Sequence, residues 1–336
     1  MTGIRSSTRR GCIIRSAAAV HDPRRRTGPK SPPKPLLAVT LSHLGHLSAP
    51  RQTHLLDIAR AADDAGVYQL VLSEHVVFAG APQLHGGTGK GVFPFPADEE
   101  YPDPFVALAA IAAVTKRSRI STNVLIGPLR PAVLIAKMAA TLDVLSGGRF
   151  DMGVGTGWHI EEFEALGVPM RGRGRRLEET IGACRALWRS ESASFSSASV
   201  SFADLHCSPR PIQDDGIPVW FGGPASEITA ERVATLGEGW SVIGNTPSSE
   251  VARGILMIEQ ACFKIGRDPR EISVRVNLPL GNTPSYGPSE MISIAKEYLS
   301  VGATVVQLPP LKHFVSDRSQ IQPFLREVIR GLAVEN

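Results

Sequence analysis

The sequence predicts an α/β fold, because strand-like and helical segments alternate along all but the beginning of its 336 residues. Eight short runs rich in apolar and β-branched residues are separated by longer segments with helical periodicity. Parallel strands need such crossover connections. A chain of this length suits a closed eight-stranded barrel, although an open doubly wound sheet would show the same alternation.

Each strand is predicted from an apolar run that ends at polar or glycine residues. The predicted strands are residues 36–41, 68–72, 120–126, 149–154, 218–221, 240–243, 272–278 and 304–308. Helices are predicted from apolar stripes and from end signals such as Gly66, Ser226 and Gly237. One lies between Ser48 and Gly66, and the others at 105–114, 132–145, 177–187, 226–237, 251–265, 292–299 and 324–332.

Three segments lack these patterns. Residues 1–35 carry nine basic residues and one acid, and predict a disordered basic tail before a single domain at 36–336. Residues 76–104 form a long loop rich in Gly, Pro and Phe, typical of a lid or binding loop. Residues 190–216 are Ser-rich and predict a surface excursion.

Charge and composition limit the partners. The chain has 36 basic and 32 acidic residues. The tail holds nine of the basic residues and one of the acidic ones, so the remainder has 27 basic and 31 acidic residues. The tail lacks interleaved aromatic residues, so we expect no nucleic-acid partner. The longest strongly apolar run without charges, residues 104–115, is too short to cross a bilayer. Four scattered cysteines indicate reduced thiols and a cytoplasmic protein.

The most informative stretch runs from Thr141 to Trp188. A helix ends there in Ser146-Gly147-Gly148, and the strand that follows ends in Gly153-Val154-Gly155-Thr156-Gly157-Trp158. Alternate glycines leave one face of the strand end without side chains, so a flat ligand can approach the backbone. Glycines that serve only packing are the alternative. The dinucleotide fingerprint G-x-G-x-x-G is excluded, because its last glycine is replaced by tryptophan.

This stretch resembles the luciferase-like monooxygenase family, the flavin and deazaflavin TIM barrels, in its version of TLD-x-LSGGR-x-x-x-G-x-G-x-GW-x-x-EEF. The resemblance covers most of residues 36–310 and continues in Leu72-Ser73-Glu74-His75, Asp103-Pro104, Arg173 to Trp188 and Val219-Trp220-Phe221-Gly222-Gly223. It implies a TIM (β/α)8 barrel with a long insertion between strand 2 and helix 2. The GW-x-x-EEF version is closer to the branch that uses coenzyme F420 than to the bacterial luciferases.

Functional residues of such barrels lie at the C-terminal ends of the strands. That rule selects His43, Glu74, His75, Asn123, Val124, Thr156, Gly157, Trp158, Gly222, Gly223, Asn277 and Gln307. His75 is the predicted catalytic base, since an imidazole exchanges protons near neutral pH. The resemblance implies an acid–histidine pair here, with Glu74 as the acid. The alternative is a loop-capping histidine beside a Glu74 that pairs with an arginine.

The predicted cofactor-binding residues come from two sources. Gly222 and Gly223 precede a helix capped by Ser226, and free N–H groups at a helix start attract phosphate; a plain turn is the alternative. The resemblance implies a non-prolyl cis peptide bond at Asn123-Val124 behind the cofactor ring, and cofactor contacts at Thr156 and Gly157. An arginine cluster could meet an acidic cofactor tail or simply be solvated: Arg171, Arg173, Arg175 and Arg176.

Trp158 and His43 are the predicted substrate-binding residues. Trp158 and Glu161 depart from the sugar-phosphate dehydrogenase branch, which has a catalytic Glu and an Asn there. An apolar or aromatic substrate that stacks on the indole is therefore expected. No metal site is predicted, because His43 and His46 lack an accompanying H-E-x-x-H motif.

Together these features predict an F420-dependent oxidoreductase that transfers a hydride between the deazaflavin and a small organic substrate. An FMN-dependent monooxygenase on the same fold is the main alternative. A flavin-binding protein without turnover and a metal-dependent hydrolase are the remaining ones. The resemblance also implies a homodimer, and the short apolar runs predict no membrane partner.

Overall fold

The computed structural model describes residues 36–48, 53–79, 98–280 and 287–333. The predicted tail, 1–35, and residues 80–97 of the predicted loop lie outside these ranges. The strands are β1 Leu36–Thr40, β2 Gln69–Leu72, β3 Arg119–Thr122, β4 Leu125–Ile126, β5 Phe150–Gly155, β6 Ala193–Ser196, β7 Ser201–Leu205, β8 Val219–Gly223, β9 Gly239–Val242, β10 Ser273–Asn277 and β11 Val305–Leu308. The helices are α1 Leu55–Ala65, α2 Pro104–Val114, α3 Ala132–Ser146, α4 Ile160–Ala165, α5 Arg173–Arg189, α6 Glu227–Leu236, α7 Ser248–Lys264, α8 Pro288–Ser300 and α9 Ile321–Ala333.

The strands close into a parallel barrel, which confirms the predicted TIM fold. Neighbours follow the order β1, β2, β3, β5, β8, β9, β10 and β11. β1 pairs with β11, with Leu36 beside Val305, and this contact closes the ring. On the opposite side Ile120 of β3 lies beside Phe150 of β5. The short β4 follows β3 and pairs with the end of β5, so the predicted third strand is interrupted.

Helix ends follow local signals, with one correction. Gly66 ends α1 in the left-handed conformation, φ 91°, which glycine adopts at little cost. Asp103 caps α2 by accepting a hydrogen bond from the Val106 amide. The first predicted helix begins late, because Ser48 ends a short 3-10 turn and α1 starts only at Leu55. No helix in the described ranges is long and apolar enough to cross a membrane.

The segment 190–216 contains an antiparallel hairpin that the sequence pattern did not predict. β6 and β7 pair with Phe195 opposite Phe202, and their ring centroids lie 6.1 Å apart. The hairpin packs on α5 at Gly182, where a Cβ atom would lie 3.0 Å from the Phe195 ring. Strands of four and five residues with one aromatic each are too short for a clear alternation.

The barrel interior carries a polar network around Arg275. This guanidinium is fully buried and donates hydrogen bonds to Gln69 Oε1 (2.7 Å) and Ser241 Oγ (3.2 Å). Gln69 in turn donates to the carboxylate of Asp151 (2.7 Å), which also pairs with Arg119. Burial lowers the pKa of Arg275 to about 10. A buried cation needs such partners, because desolvation disfavours the charged form.

We expect Arg275→Met to lower the free energy of unfolding by about 3 kcal/mol, because Gln69 and Ser241 lose a buried partner. Urea unfolding of the variant and the wild type measures this loss. Arg270→Met is the control, since Arg270 is exposed and a surface change of this kind costs within about 0.5 kcal/mol. Equal effects of the two substitutions would contradict a role for the internal network.

Candidate functional site

The candidate site lies at the C-terminal ends of the barrel strands, where side chains from three strand ends approach one another. His43 follows β1, His75 follows β2 and Trp158 follows β5. The rings of His75 and Trp158 lie 5.4 Å apart between centroids, and the Tyr101 ring, 5.0 Å from that of His75, is hydrogen-bonded to His43. The residues that were selected because they follow strands are therefore close together in the structure, although they are distant in the sequence.

His75 is hydrogen-bonded to a carboxylate that follows a different strand. Its Nδ1 lies 3.1 Å from Glu162 Oε2, and Glu162 is fully buried. The other oxygen, Oε1, accepts a 2.5 Å hydrogen bond from the Val76 amide. An ionised carboxylate only accepts hydrogen bonds, so His75 carries a proton on Nδ1. Glu162 therefore sets both the orientation and the tautomer of His75.

Glu74, the predicted partner of His75, faces elsewhere. Its carboxylate pairs with Arg130 and accepts a 2.6 Å hydrogen bond from the Ile126 amide. Burial raises the pKa of Glu74 in spite of the opposing effect of Arg130. The expected Glu74–His75 pair is therefore not formed, because the Glu74 carboxylate is held by Arg130 and the Ile126 amide. The alternative arrangement, an arginine partner for Glu74, is the one observed.

His43 belongs to a second, partly buried hydrogen-bonded group. Its Nδ1 lies 3.1 Å from Glu99 Oε1, and its Nε2 lies 3.3 Å from the Tyr101 hydroxyl. The Tyr101 ring also meets the ring of His75 edge-on, at 5.0 Å. Burial, with the charges of Lys312 and His75, lowers the pKa of His43 to about 3. His43 is therefore neutral at physiological pH and serves as a fixed polar wall.

The peptide bond between Asn123 and Val124 is cis, as the resemblance implied. The side chain of Asn123 accepts a 2.7 Å hydrogen bond from Ser241 Oγ and donates a 2.8 Å hydrogen bond to Gln307 Oε1. Both of its amide atoms thus face neighbours at other strand ends. A contact of Asn123 with a cofactor would then use its backbone, and this contact stays a prediction.

The strand-end glycines make room for the protein's own side chains. A Cβ atom on Gly155 would lie 2.5 Å from Val124 Cγ2, and one on Gly222 would lie 2.8 Å from Val124 Cγ1. At Gly157 the nearest atoms belong to Ile126 and Phe163. The bare backbone expected against a ligand is therefore occupied by packing, the alternative that the sequence left open.

The loop after β8 keeps its predicted helix cap. Ser226 Oγ accepts a 3.3 Å hydrogen bond from the Thr229 amide. Gly222 and Gly223 are half-buried, and the carbonyl of Gly223 accepts a 2.9 Å hydrogen bond from the Trp240 indole. Glu227 places a negative charge in the first turn of α6, which opposes anion binding. Phosphate binding at this loop stays a prediction.

Thr156 and Gly157 continue the site beyond β5. Thr156 is half-buried, and its hydroxyl has no hydrogen-bond partner among the residues that the structure describes. The carbonyl of Gly157 accepts a 3.1 Å hydrogen bond from Arg173 Nε at the start of α5. Arg173, from the cluster weighed for an acidic tail, therefore holds the loop in place.

Sequence reasoning missed three residues of this site. Glu162 and His159 lie on and before the short helix α4, and Tyr101 lies before α2. The signal for the first two was present, because His159 is three residues before Glu162 and caps α4 by accepting its amide hydrogen at 3.2 Å. Histidine is an uncommon N-cap, so this part of the sequence was interpreted only as an acidic segment and not as a capped helix.

We expect His43 to make the protein less stable in acid. Its pKa of about 3 lies below the unfolded value of 6.5, so its contribution is fully present above pH 6.5. It declines as the pH falls from 6.5 towards 3, by up to about 1.4 kcal/mol per pH unit. The difference in unfolding free energy between wild type and His43→Asn should therefore narrow over this range, in urea titrations at several pH values.

Asparagine suits this substitution, because His43 has a positive φ of 58° and asparagine tolerates that conformation. His46→Asn, at an exposed neighbour, is the control and should follow the wild-type curve. Parallel curves for wild type and His43→Asn would show that the imidazole does not titrate as expected.

Comparison with known proteins gives matches in both sequence and structure. The model of the luciferase-like monooxygenase family matches residues 36–283. An uncharacterised protein of Mycobacterium tuberculosis is 33% identical over 214 residues, which are 62% of this chain and 74% of that protein. The FMNH2-dependent dimethylsulfone monooxygenase of Pseudomonas putida is 32% identical over 153 residues, 45% of this chain and 41% of that enzyme.

Among solved structures, an F420-dependent secondary alcohol dehydrogenase in complex with an F420–acetone adduct has a TM-score of 0.72 and 16% identity. The match covers 90% of this chain and all of that chain. At this identity the likeness shows a shared fold and nothing finer.

Proposed function

Because the chain belongs to the luciferase-like monooxygenase family, we propose that it is an F420-dependent oxidoreductase acting on a small organic substrate. When bound, coenzyme F420 would supply the ring carbon that accepts or donates a hydride. The chain's own residues would position the substrate, exclude water and manage the accompanying proton. The observation that carries this proposal is the His75–Glu162 pair at the barrel mouth.

Converting an alcohol to a ketone releases a hydride from carbon and a proton from oxygen. Glu162 holds the proton of His75 on Nδ1, so Nε2 is the atom that would take the proton of the substrate hydroxyl. In the opposite direction Nε2 would return it. The buried carboxylate stabilises the charged imidazole formed in between, since opposite charges favour one another in a poorly hydrated site.

The strand-end residues offer an apolar surface and polar groups to a planar cofactor, and its anionic tail would have to avoid Glu227 in the first turn of α6. Val124, which follows the cis peptide bond, packs on Gly155 and Gly222 and would form a wall for the cofactor ring. The Thr156 hydroxyl and the half-buried Gly222–Gly223 loop offer polar groups beside that wall. These residues would hold the ring and its tail, as the family resemblance implies for Asn123, Val124, Thr156, Gly157, Gly222 and Gly223.

Aromatic rings surround His75 and favour an apolar or aromatic substrate. Phe78, Tyr101 and Trp158 lie 4.4, 5.0 and 5.4 Å from it between ring centroids. Such rings exclude water and pack against planar groups edge-on or face-on. The hydrogen-bonded Tyr101 hydroxyl and His43 imidazole would form a polar side of this pocket.

We expect the purified protein to bind reduced F420 at micromolar or lower concentration and to leave dissolved oxygen unconsumed. Fluorescence titration with reduced F420 and with FMNH2, together with an oxygen electrode, measures both properties. Tight FMNH2 binding with oxygen uptake would reject the F420 assignment. It would establish the second candidate, an FMN-dependent monooxygenase, which the identity to the dimethylsulfone monooxygenase favours.

We expect Glu162→Gln to lower kcat about 100-fold, within the range for a lost general base. The new amide would accept from the Val76 N–H and donate to His75 Nδ1, so Nε2 would become protonated and unable to accept a proton. Steady-state kinetics with an alcohol substrate measure this effect, with KM changed less than kcat. His75→Gln should give a similar loss.

Glu164→Gln is the matched control, because Glu164 is exposed on the same helix, and its activity should equal that of the wild type. If Glu162→Gln and Glu164→Gln were both fully active, His75 would not be the proton acceptor.

We further propose that the protein acts as a cytoplasmic homodimer. Cys184 and Cys262 are buried free thiols, as expected in a reducing compartment. Val106, Leu134 and Leu145 expose apolar side chains on α2 and α3. A second copy of the chain could cover them, since exposed apolar patches commonly mark protein contacts.

A further inference from the structure

His159 is a buried imidazole whose two nitrogens have different roles. Its ring is 1% exposed, and its Nδ1 accepts the hydrogen bond from the Glu162 amide that caps α4. A backbone N–H can only donate, so Nδ1 carries no proton. The ring is therefore neutral, and its single N–H lies on Nε2.

Nε2 of His159 has no hydrogen-bond partner among the residues that the structure describes. A buried N–H without an acceptor is unfavourable, so it points to a ligand atom that completes it. The carboxylate of Glu161 approaches only Nδ1, at 3.7 Å, and does not serve Nε2.

The surroundings of His159 belong to the proposed substrate pocket. Its ring centroid lies 5.2 Å from Trp158, 5.4 Å from Phe78 and 6.4 Å from His75. Because Nδ1 faces the start of α4, Nε2 lies on the opposite side of the ring. With 6.4 Å between the two centroids, hydrogen bonds of about 3 Å from both rings could meet at one substrate oxygen.

We propose that His159 is a substrate-binding residue whose Nε2–H donates a hydrogen bond to the alcohol or ketone oxygen of the substrate. Glu162 gives the two histidines opposite tautomers: its carboxylate keeps the proton of His75 on Nδ1, and its amide keeps that of His159 on Nε2. One acceptor and one donor match a hydroxyl group, which both donates and accepts. The assignment rests on the proposed function and names its substrate class.

His159→Asn separates the two roles of this residue. Asparagine is a favoured N-cap, so its side-chain oxygen can accept the Glu162 amide hydrogen and keep α4 in place. The amide NH2 of asparagine lies nearer the backbone than histidine Nε2 and would not reach the substrate oxygen. Two proteins serve as controls: the wild type, and Glu164→Asn, which changes an exposed position of the same helix.

The probes are two pairs of equal shape: acetophenone with α-methylstyrene, and cyclohexanone with methylenecyclohexane. Dissociation constants are measured by tryptophan fluorescence on the purified full chain, without hydride transfer. We expect wild type to prefer each ketone to its hydrocarbon by about tenfold, the value of one hydrogen bond. In His159→Asn this preference should vanish while hydrocarbon affinity stays within about twofold.

A ketone preference that is unchanged in His159→Asn, or absent from wild type for both pairs, would overturn the assignment. A second measurement does not depend on the variant's folding: nitrogen NMR of 15N-histidine-labelled wild type. The His159 Nε2–H signal should move with acetophenone and not with α-methylstyrene, and equal shifts would also overturn the assignment. Failure to bind F420 in the separate titration would reject the proposed cofactor and leave this result intact.

Discussion

The burial of the Glu162 carboxylate is the constraint on which the candidate site depends. A carboxylate without solvent must be hydrogen-bonded, because an unpaired buried charge is strongly unfavourable. The His75 imidazole and the Val76 amide meet that need, and they tie the short helix α4 to the end of β2. Any change that hydrates or moves Glu162 would therefore alter the strand end, the helix and the tautomer of His75 together.

The polar interior of the barrel gives a second layer of support. Arg275 bonds to Ser241, Ser241 bonds to Asn123, and Asn123 bonds to Gln307. This chain of hydrogen bonds reaches from the buried guanidinium to the cis peptide bond at the mouth. Packed barrels more often fill this space with branched apolar residues. Here a hydrogen-bonded network fixes the direction of the Asn123 side chain, next to Val124 of the proposed cofactor site.

The sequence was sufficient for the fold, since apolar periodicity, glycine and the family resemblance agree on eight βα units. The sequence also predicted where the strands end and, from that, that His75 lies in the site. The sequence did not predict the directions of individual side chains. Glu74 pairs with Arg130, and His75 is reached by Glu162, which lies 87 positions after it in the chain. The β6–β7 hairpin was missed because four or five residues carry too little periodicity. The spacing of residues within one segment does not show which distant residue a side chain will contact.

The opposite tautomers of His75 and His159 have a consequence for both directions of the proposed reaction. An alcohol oxygen and a ketone oxygen both accept hydrogen bonds, so His159 can donate to either without changing its own protonation. Only His75 needs to gain or lose a proton. As the substrate oxygen takes on negative charge in the transition state, a fixed donor becomes more stabilising. The α4 cap, which forces the proton of His159 onto Nε2, thereby links the folding of one short helix to the stabilisation of charge on the substrate.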